Sequence, residues 1–432
     1  MKNIFSVRFI FIFSLLSFGC NHPTQTERVA APPAQQKPSV SENIEVLFHP
    51  TDPTLEKIGA WLTEAKQTVD IAMYDLEVGE SSPIIKALLR PEVQARLAAK
   101  DLSIRFIYEG YGKPQENAAK MTKLEALGAD VRFVTSGKKV HHKFAVIDGS
   151  SPASRVITGS ANWSLSSFRN YDENILFMQR FPEAAFGFES EFELLWSHST
   201  EFGATQPHPA REVPVETNPS SDIEVHFNSR RHLLKEDLPA NNLTLQIVRQ
   251  INAAKSELRI ATTRVRLVPV LDALRAAGQR GVHVRVLLSQ DDYHDLPARA
   301  AWILNQPNIE LRIKFYNLKP GDYMTYQMHN KFMIVDDQAL VTGSFNWSAS
   351  SENSHIENLV ILRGPMLASV LPKYSARFDM IWDRGRDQLP NFLQELRQDQ
   401  ALKITPHCSF HPISLSNEEV ERLLSLAPHC AN

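Results

Sequence analysis

Two short stretches of this chain combine an imidazole, an ammonium group, a carboxylate and an amide at fixed spacing. One reads His141-His142-Lys143-Phe144-Ala145-Val146-Ile147-Asp148, then Gly159-Ser160-Ala161-Asn162-Trp163-Ser164. The other reads His329-Asn330-Lys331-Phe332-Met333-Ile334-Val335-Asp336, then Gly343-Ser344-Phe345-Asn346-Trp347-Ser348. An imidazole can attack an electrophile or exchange a proton near neutrality, and an ammonium group can offset negative charge beside it. In each copy the run between Lys and Asp is short, apolar and partly β-branched, which predicts a buried strand. Residues i and i+2 of a strand share a face, so His141 goes with Lys143 and His329 with Lys331. Asp148 and Asp336 have the opposite parity and close the strand, a place suited to orienting a neighbour. By the same parity His142 points away from the His141 face.

The elements that must position these residues occur twice in the same order. In the first half, strands are expected at Ile44 to Phe48, Val69 to Tyr74, Leu102 to Tyr108 and Val131 to Val134. Helical periods lie between them at Leu55 to Ala65, Ile84 to Leu97 and Ala118 to Leu127, and Phe186 to Trp196 closes the half. In the second half, strands at Ile223 to Phe227, Leu258 to Ala261, Gly281 to Leu288 and Ile309 to Phe315 alternate with helices at Leu245 to Ala254, Val268 to Ala277 and Ala298 to Leu304. Val370 to Trp382 is its closing helix. Strands alternating with helices indicate an α/β layered fold, and duplication predicts a pseudo-twofold arrangement. Between the halves, residues 206–221 hold Pro207, Pro209, Pro214 and Pro219, the composition of a linker.

The paired motifs with their downstream Gly-Ser-x-Asn resemble the two HxKxxxxD motifs of the phospholipase D superfamily, over about Ile44 to Asp383. One departure is visible: the stretch from Asp148 to Gly159 is longer than that from Asp336 to Gly343, and Ser150-Ser151-Pro152-Ala153 reads as a longer hairpin turn. The resemblance implies two phospholipase D-like repeats, residues 44–205 and 222–386, packed around one shared active site. It also implies a phosphodiesterase without a cofactor. No Asp/Glu/His cluster with metal-ligand spacing stands beside the motifs, which disfavours a two-metal hydrolase.

A phosphodiester repels nucleophiles with its own charge, so a site must offset that charge. Lys143 and Lys331 supply cations, and Asn162 and Asn346 can donate amide hydrogens to the same oxygens. Ser160 and Ser344 either add hydroxyl donors or only hold the turn. One neutral imidazole attacks phosphorus and forms a phosphohistidine; the other protonates the leaving oxygen and then activates water. By resemblance, His141 is the nucleophile and His329 the acid and base, with Asp148 and Asp336 completing the catalytic set. Glu173 and Glu357, each followed by Asn, lie at matching positions after the motifs. They either fix a histidine tautomer or form salt bridges on the strand surface. Trp163 and Trp347 are read as core.

The ends of the chain address location. Residues 1–20 carry Lys2, Arg8 and an apolar run from Phe9 to Phe18, too short to span a membrane. Leu16-Ser17-Phe18-Gly19-Cys20 resembles a bacterial lipoprotein signal, with Ser17 where Leu is usual, so Cys20 is the expected lipidation site. Residues 21–43 are rich in Pro, Gln, Thr and Ala and are expected to form a disordered tether. The protein is therefore expected to be exported, as a periplasmic or membrane-anchored monomer. In the extension 387–432, Leu389 to Leu396 and Glu418 to Leu426 read as amphipathic helices, and Cys408 and Cys430 remain to pair in an oxidising compartment.

The chain has 43% apolar residues, a globular composition, and a formal net charge of −3, which gives no support for general polyanion attraction. Export beside a membrane favours a phospholipid substrate, while the compact repeats look like the nuclease-type branch. Hydrolysis of phospholipid head groups is the first reading. Nucleic-acid cleavage and phosphatidyl transfer stay open as alternatives.

Overall fold

The structure, a computed structural model, describes residues 43–109, 114–204, 207–213, 222–319, 325–402 and 408–430. Cys20, the signal segment and nearly all of the tether therefore lie outside the described residues. In the first half the strands are β1 (Ile44–His49), β2 (Thr68–Met73), β3 (Ser103–Tyr108), β4 (Asp130–Val134), β5 (Lys139–Val140), β6 (Lys143–Ile147), β7 (Arg155–Gly159), β8 (Glu173–Gln179) and β9 (Ser199–Glu201). In the second half they are β10 (Ile223–Phe227), β11 (Glu257–Thr262), β12 (His283–Ser289), β13 (Ile309–Asn317), β14 (Lys331–Val335), β15 (Ala339–Gly343), β16 (His355–Ile356), β17 (Asn358–Arg363) and β18 (Ser409–Leu415).

Two eight-stranded sheets result, with orders β1-β8-β7-β6-β2-β3-β4-β9 and β10-β17-β15-β14-β11-β12-β13-β18. The two orders correspond position by position. In each, three strands joined by crossover helices run parallel, and the motif hairpin adds antiparallel neighbours. The motif strands β6 and β14 sit in the sheet centres, buried along their whole length. Strict alternation divides their side chains. Ala145 and Ile147 pack into the first half's outer core and Met333 and Val335 into the second's. Phe144, Val146, Phe332 and Ile334 enter a third core that both halves share.

The closing helices, Pro182–Ser197 and Leu367–Trp382, supply most of the aromatic rings of that shared core, Phe188, Phe192, Trp196, Tyr374, Phe378 and Trp382. Each buried aromatic contributes roughly 1.5–3 kcal/mol. The halves are thus welded by apolar burial, and the described residues form one compact unit. Among the described residues no helix is long and apolar enough to cross a membrane.

Three expectations change. The period over Ile84 to Leu97 is two helices, Pro83–Leu88 and Pro91–Ala98, because Pro91 cannot continue a helix and Arg90 before it is extended. The linker's described part is docked: Arg211 Nη2 donates to Asp70 Oδ1 at 2.8 Å, and Trp196 Nε1 donates to the His208 carbonyl at 3.0 Å. The C-terminal extension has its two helices, but between them β18 joins the second sheet's edge, with Leu415 opposite Ile313. Pro412 hides this strand from pattern reading and is tolerated because the strand is at an edge. Cys408 and Cys430 form a disulfide.

Candidate functional site

The site lies at the Lys end of the motif strands. His141 directly follows β5, which pairs with β16, and its backbone N–H donates to the Ile356 carbonyl at 3.0 Å. The mirror contact joins His329 N–H to the Asp172 carbonyl at 3.0 Å. Each histidine backbone is therefore fixed by the opposite half.

The side chains cross in the same way. His141 Nδ1 is 2.9 Å from Glu357 Oε2, and His329 Nδ1 is 2.7 Å from Glu173 Oε1. Both glutamates are fully buried, and Glu357 also accepts from Ser344 Oγ at 2.6 Å and Glu173 from Ser167 Oγ at 2.8 Å. A carboxylate acceptor fixes the proton on Nδ1, which leaves each Nε2 as a lone pair able to attack or to carry a second proton. The choice between tautomer fixing and a surface salt bridge thus falls to tautomer fixing.

Lys143 Nζ donates to the His141 carbonyl at 2.6 Å, and Lys331 Nζ donates to the His329 carbonyl at 2.7 Å. Burial pushes Lys143 down to about 7 and Lys331 down to about 8, against the pull of Glu357 and Glu173. Burial also holds His141 well below its usual value and His329 below it. The neighbouring histidines and lysines hold both glutamates below the usual carboxylate range despite burial. An arriving phosphodiester anion stabilises every one of these cations in its charged form.

The opposition of Ala145 to Ile157 brings the turn after Gly159 to the Lys143 end of the sheet. Gly159 has φ 153°, and a Cβ there would lie 2.2 Å from the Asn174 carbonyl oxygen; at Gly343 the values are 145° and 2.5 Å from Asn358. Only glycine fits. Beyond this turn, Asn162 and Asn346 each hold a buried Oδ1 with no hydrogen-bond partner. Trp163 and Trp347 are core, as expected.

Other expected members stand elsewhere. Asp148 and Asp336, placed in the catalytic set, lie at the opposite ends of β6 and β14. Asp148 accepts backbone N–H bonds from Lys66, Gln67 and Thr68 at 2.7–3.1 Å, and Asp336 from Lys255, Ser256 and Glu257 at 2.7–2.8 Å. They anchor the loops that enter β2 and β11. Ser160 and Ser344 are fully buried and accept from the backbone N–H of Asn174 and Asn358, so they hold the turn, and the Ser344 hydroxyl hydrogen goes to Glu357. His142 does point away from His141, into the shared core, where Glu191 holds its Nε2 at 2.8 Å and Asn358 its Nδ1 at 3.1 Å.

Sequence reasoning missed several contributors. Asn174 donates across the halves to Asn330 Oδ1 at 3.0 Å and accepts from Thr342 at 2.8 Å, so the repeated Glu-Asn pair is a cross-half latch. Tyr74 and His355 flank His141 at ring separations of 5.0 and 5.5 Å, and Tyr171 flanks His329 at 5.7 Å. The available signal was spacing: Tyr171 and His355 each stand two residues before a site glutamate. Among the described residues, His141, His355 and Glu357 offer ligand atoms within 4.8 Å of one another, and so do Glu125, Asp130 and Glu201; the cysteines near His429 are spent in the disulfide.

Two histidines, each aligned by a carboxylate of the other repeat and each beside a buried lysine, define a two-repeat α/β protein with one paired-imidazole site. The chain belongs to the phospholipase D-like family: residues 58–196 and 247–382 match the family described as "Cardiolipin synthase, PLD-like domain". It is 29% identical over 147 residues to the mitochondrial cardiolipin hydrolase of Mus musculus, which covers 34% of this chain and 61% of that protein. It is 27% identical over 153 residues to a phospholipase D of Rickettsia prowazekii, covering 34% of this chain and 70% of the relative. The chain thus spans less than two thirds of the length of the mouse relative. A phosphatidylserine synthase from Haemophilus influenzae shares the fold, with TM-score 0.57, 13% identity and coverage of 79% of this chain and 86% of that one.

Proposed function

We propose that the protein hydrolyses phospholipid head groups as a phospholipase D-type phosphodiesterase. The crossed His141–Glu357 and His329–Glu173 pairs carry this reading, because they supply two tautomerically fixed imidazoles at one shared site. His141 Nε2 attacks phosphorus while its Nδ1–H stays on Glu357. The head-group P–O bond breaks and the leaving oxygen takes a proton from His329. His329 then accepts a proton from water, whose oxygen attacks phosphorus; the P–N bond breaks, returning neutral His141 and releasing the phosphatidate. Lys143, Lys331, Asn162 and Asn346 hold the non-bridging oxygens. The names of the mouse and Rickettsia relatives support a phospholipid over a nucleic acid.

Purified protein is to be assayed on phosphatidylcholine, phosphatidylethanolamine, phosphatidylglycerol, cardiolipin and single- and double-stranded DNA, with and without EDTA. Phospholipid hydrolysis that survives EDTA is expected. Cleavage of DNA alone, or loss on chelation with rescue by a divalent ion, sinks the reading.

Membrane attachment through Cys20 belongs to the same proposal. Radioactive palmitate should label the wild type and not Cys20→Ala; absence of label from both rejects the anchor.

A further inference from the structure

His355 takes no part in the reaction proposed above, yet it stands against the proposed nucleophile. Its ring centroid is 5.5 Å from that of His141, and its Nδ1 is 3.6 Å from Glu357 Oε1. That oxygen is fully buried and has no hydrogen-bond partner. The backbone holds the group rigidly. His355 on β16 and Glu357, the residue linking β16 to β17, are i and i+2, His355 lies opposite Lys139 in the β5–β16 ladder, and His141 is bonded to Ile356 between them. One ligand atom from each of His141, His355 and Glu357 falls within 4.8 Å of the other two.

Two imidazoles and one carboxylate suit a borderline transition ion. Calcium and magnesium require oxygen ligands and gain little here. Tetrahedral zinc needs its donors about 3.3 Å apart, so the set must contract. His355 can supply that movement, because its side chain keeps 18% exposure while Glu357 is held by Ser344. Lys143 lies close enough to His141 to oppose a cation, so Glu357 is the counter-charge that makes the site possible.

We propose that His141, His355 and Glu357 bind one Zn2+ ion and that this ion inhibits the enzyme, by capturing the imidazole that must attack and the carboxylate that aligns it. The other half cannot form this site, because Tyr171 stands two residues before Glu173 where His355 stands before Glu357. The inference goes beyond the phosphodiesterase reading, and metal binding can be read without any substrate.

The test uses the full chain, stripped with chelator and dialysed, titrated calorimetrically with ZnCl2 and by visible ligand-field absorption with CoCl2. Wild type should bind one equivalent of each, and Zn2+ should abolish any phosphodiesterase activity until EDTA restores it. His355→Tyr, which copies the other half, should weaken binding by more than about 100-fold, since losing a ligand exceeds the 10- to 100-fold that outer partners cost. His355→Cys restores a donor and should keep the one-equivalent site even if the tyrosine variant folds poorly. No stoichiometric binding by wild type, or equal affinity in folded His355→Tyr, overturns the proposal.

Discussion

The two repeats present the same His-x-Lys on the same strand face, but their surroundings differ. Around His141 stand His355 and Tyr74, with Lys139 over the Tyr74 ring at 4.5 Å. Around His329 stands Tyr171, and the residue between Tyr171 and Glu173 is a buried charge. Asp172 is bonded by Lys314 at 2.8 Å, Arg377 at 2.9 Å and Arg384 at 2.6 Å, all from the second half. Its counterpart before Glu357 is apolar Ile356. One catalytic end is therefore braced by a cross-half charge cluster, the other by apolar packing with His142 and Glu191 behind it. Duplication supplies equivalent chemistry, and unequal neighbours are what can divide it into nucleophile and acid.

The largest expected effect separates the two histidines. With a substrate whose leaving group needs no protonation, His329→Ala should still accumulate a phosphohistidine at position 141, whereas His141→Ala should form none. The glutamates should follow the crossed wiring. Glu357→Gln should slow adduct formation and Glu173→Gln its hydrolysis, each by roughly 10²–10⁴-fold, as loss of an aligning carboxylate does elsewhere. Mass spectrometry of trapped enzyme reads both. An adduct on His329, or uncrossed glutamate effects, reverses the assignment.

Next in size is the charge cluster. Asp172→Asn leaves Lys314 and Arg377 buried with a weakened partner and should cost about 3–5 kcal/mol by denaturant unfolding. Ile356→Val, at the equivalent place, should cost only about 0.5–1.5 kcal/mol. Similar losses at the two positions would show that the asymmetry has no energetic weight.

Smaller effects are expected at the motif aspartates. Asp148→Ala removes a carboxylate bonded to three backbone N–H groups and should cost about 2–4 kcal/mol. Asp336→Ala, at a more exposed anchor, should cost about 1–2 kcal/mol. Turnover per folded molecule should stay near wild type in both; a large drop without destabilisation would return these residues to the chemistry.

The smallest effect concerns pH. Burial lowers both histidines, so kcat/KM should be bell-shaped with its optimum on the acidic side of 6.5. The limbs belong to the pair: activity falls at lower pH as the nucleophile is protonated and at higher pH as the acid loses its proton. Lys143, pushed down to about 7, steepens the alkaline fall. The same depressed histidines make the unfolded chain bind protons first, so stability should decline as pH drops below 6.5. An optimum above 7.5 would contradict the burial argument.

Much of this was legible in the chain. The duplication fixed the number of catalytic copies, and strand parity put His141 with Lys143 and sent His142 the other way, because a two-residue period is local to the backbone. The repeated Gly-Ser followed from a turn that admits no Cβ. Parity could also say that Asp148 ends a strand, but not that three loop amides would claim its oxygens. The edge strands β9 and β18 escaped notice, the first for its three residues and the second for its Pro412, because an edge needs little apolar pattern. What tertiary structure alone decided is the crossing. Glu357 serves a histidine 216 residues away and Glu173 one 156 residues away, and neither distance follows from any local period. Docking of the two sheets through a shared aromatic core set those contacts, and with them gave two identical motifs their different neighbours.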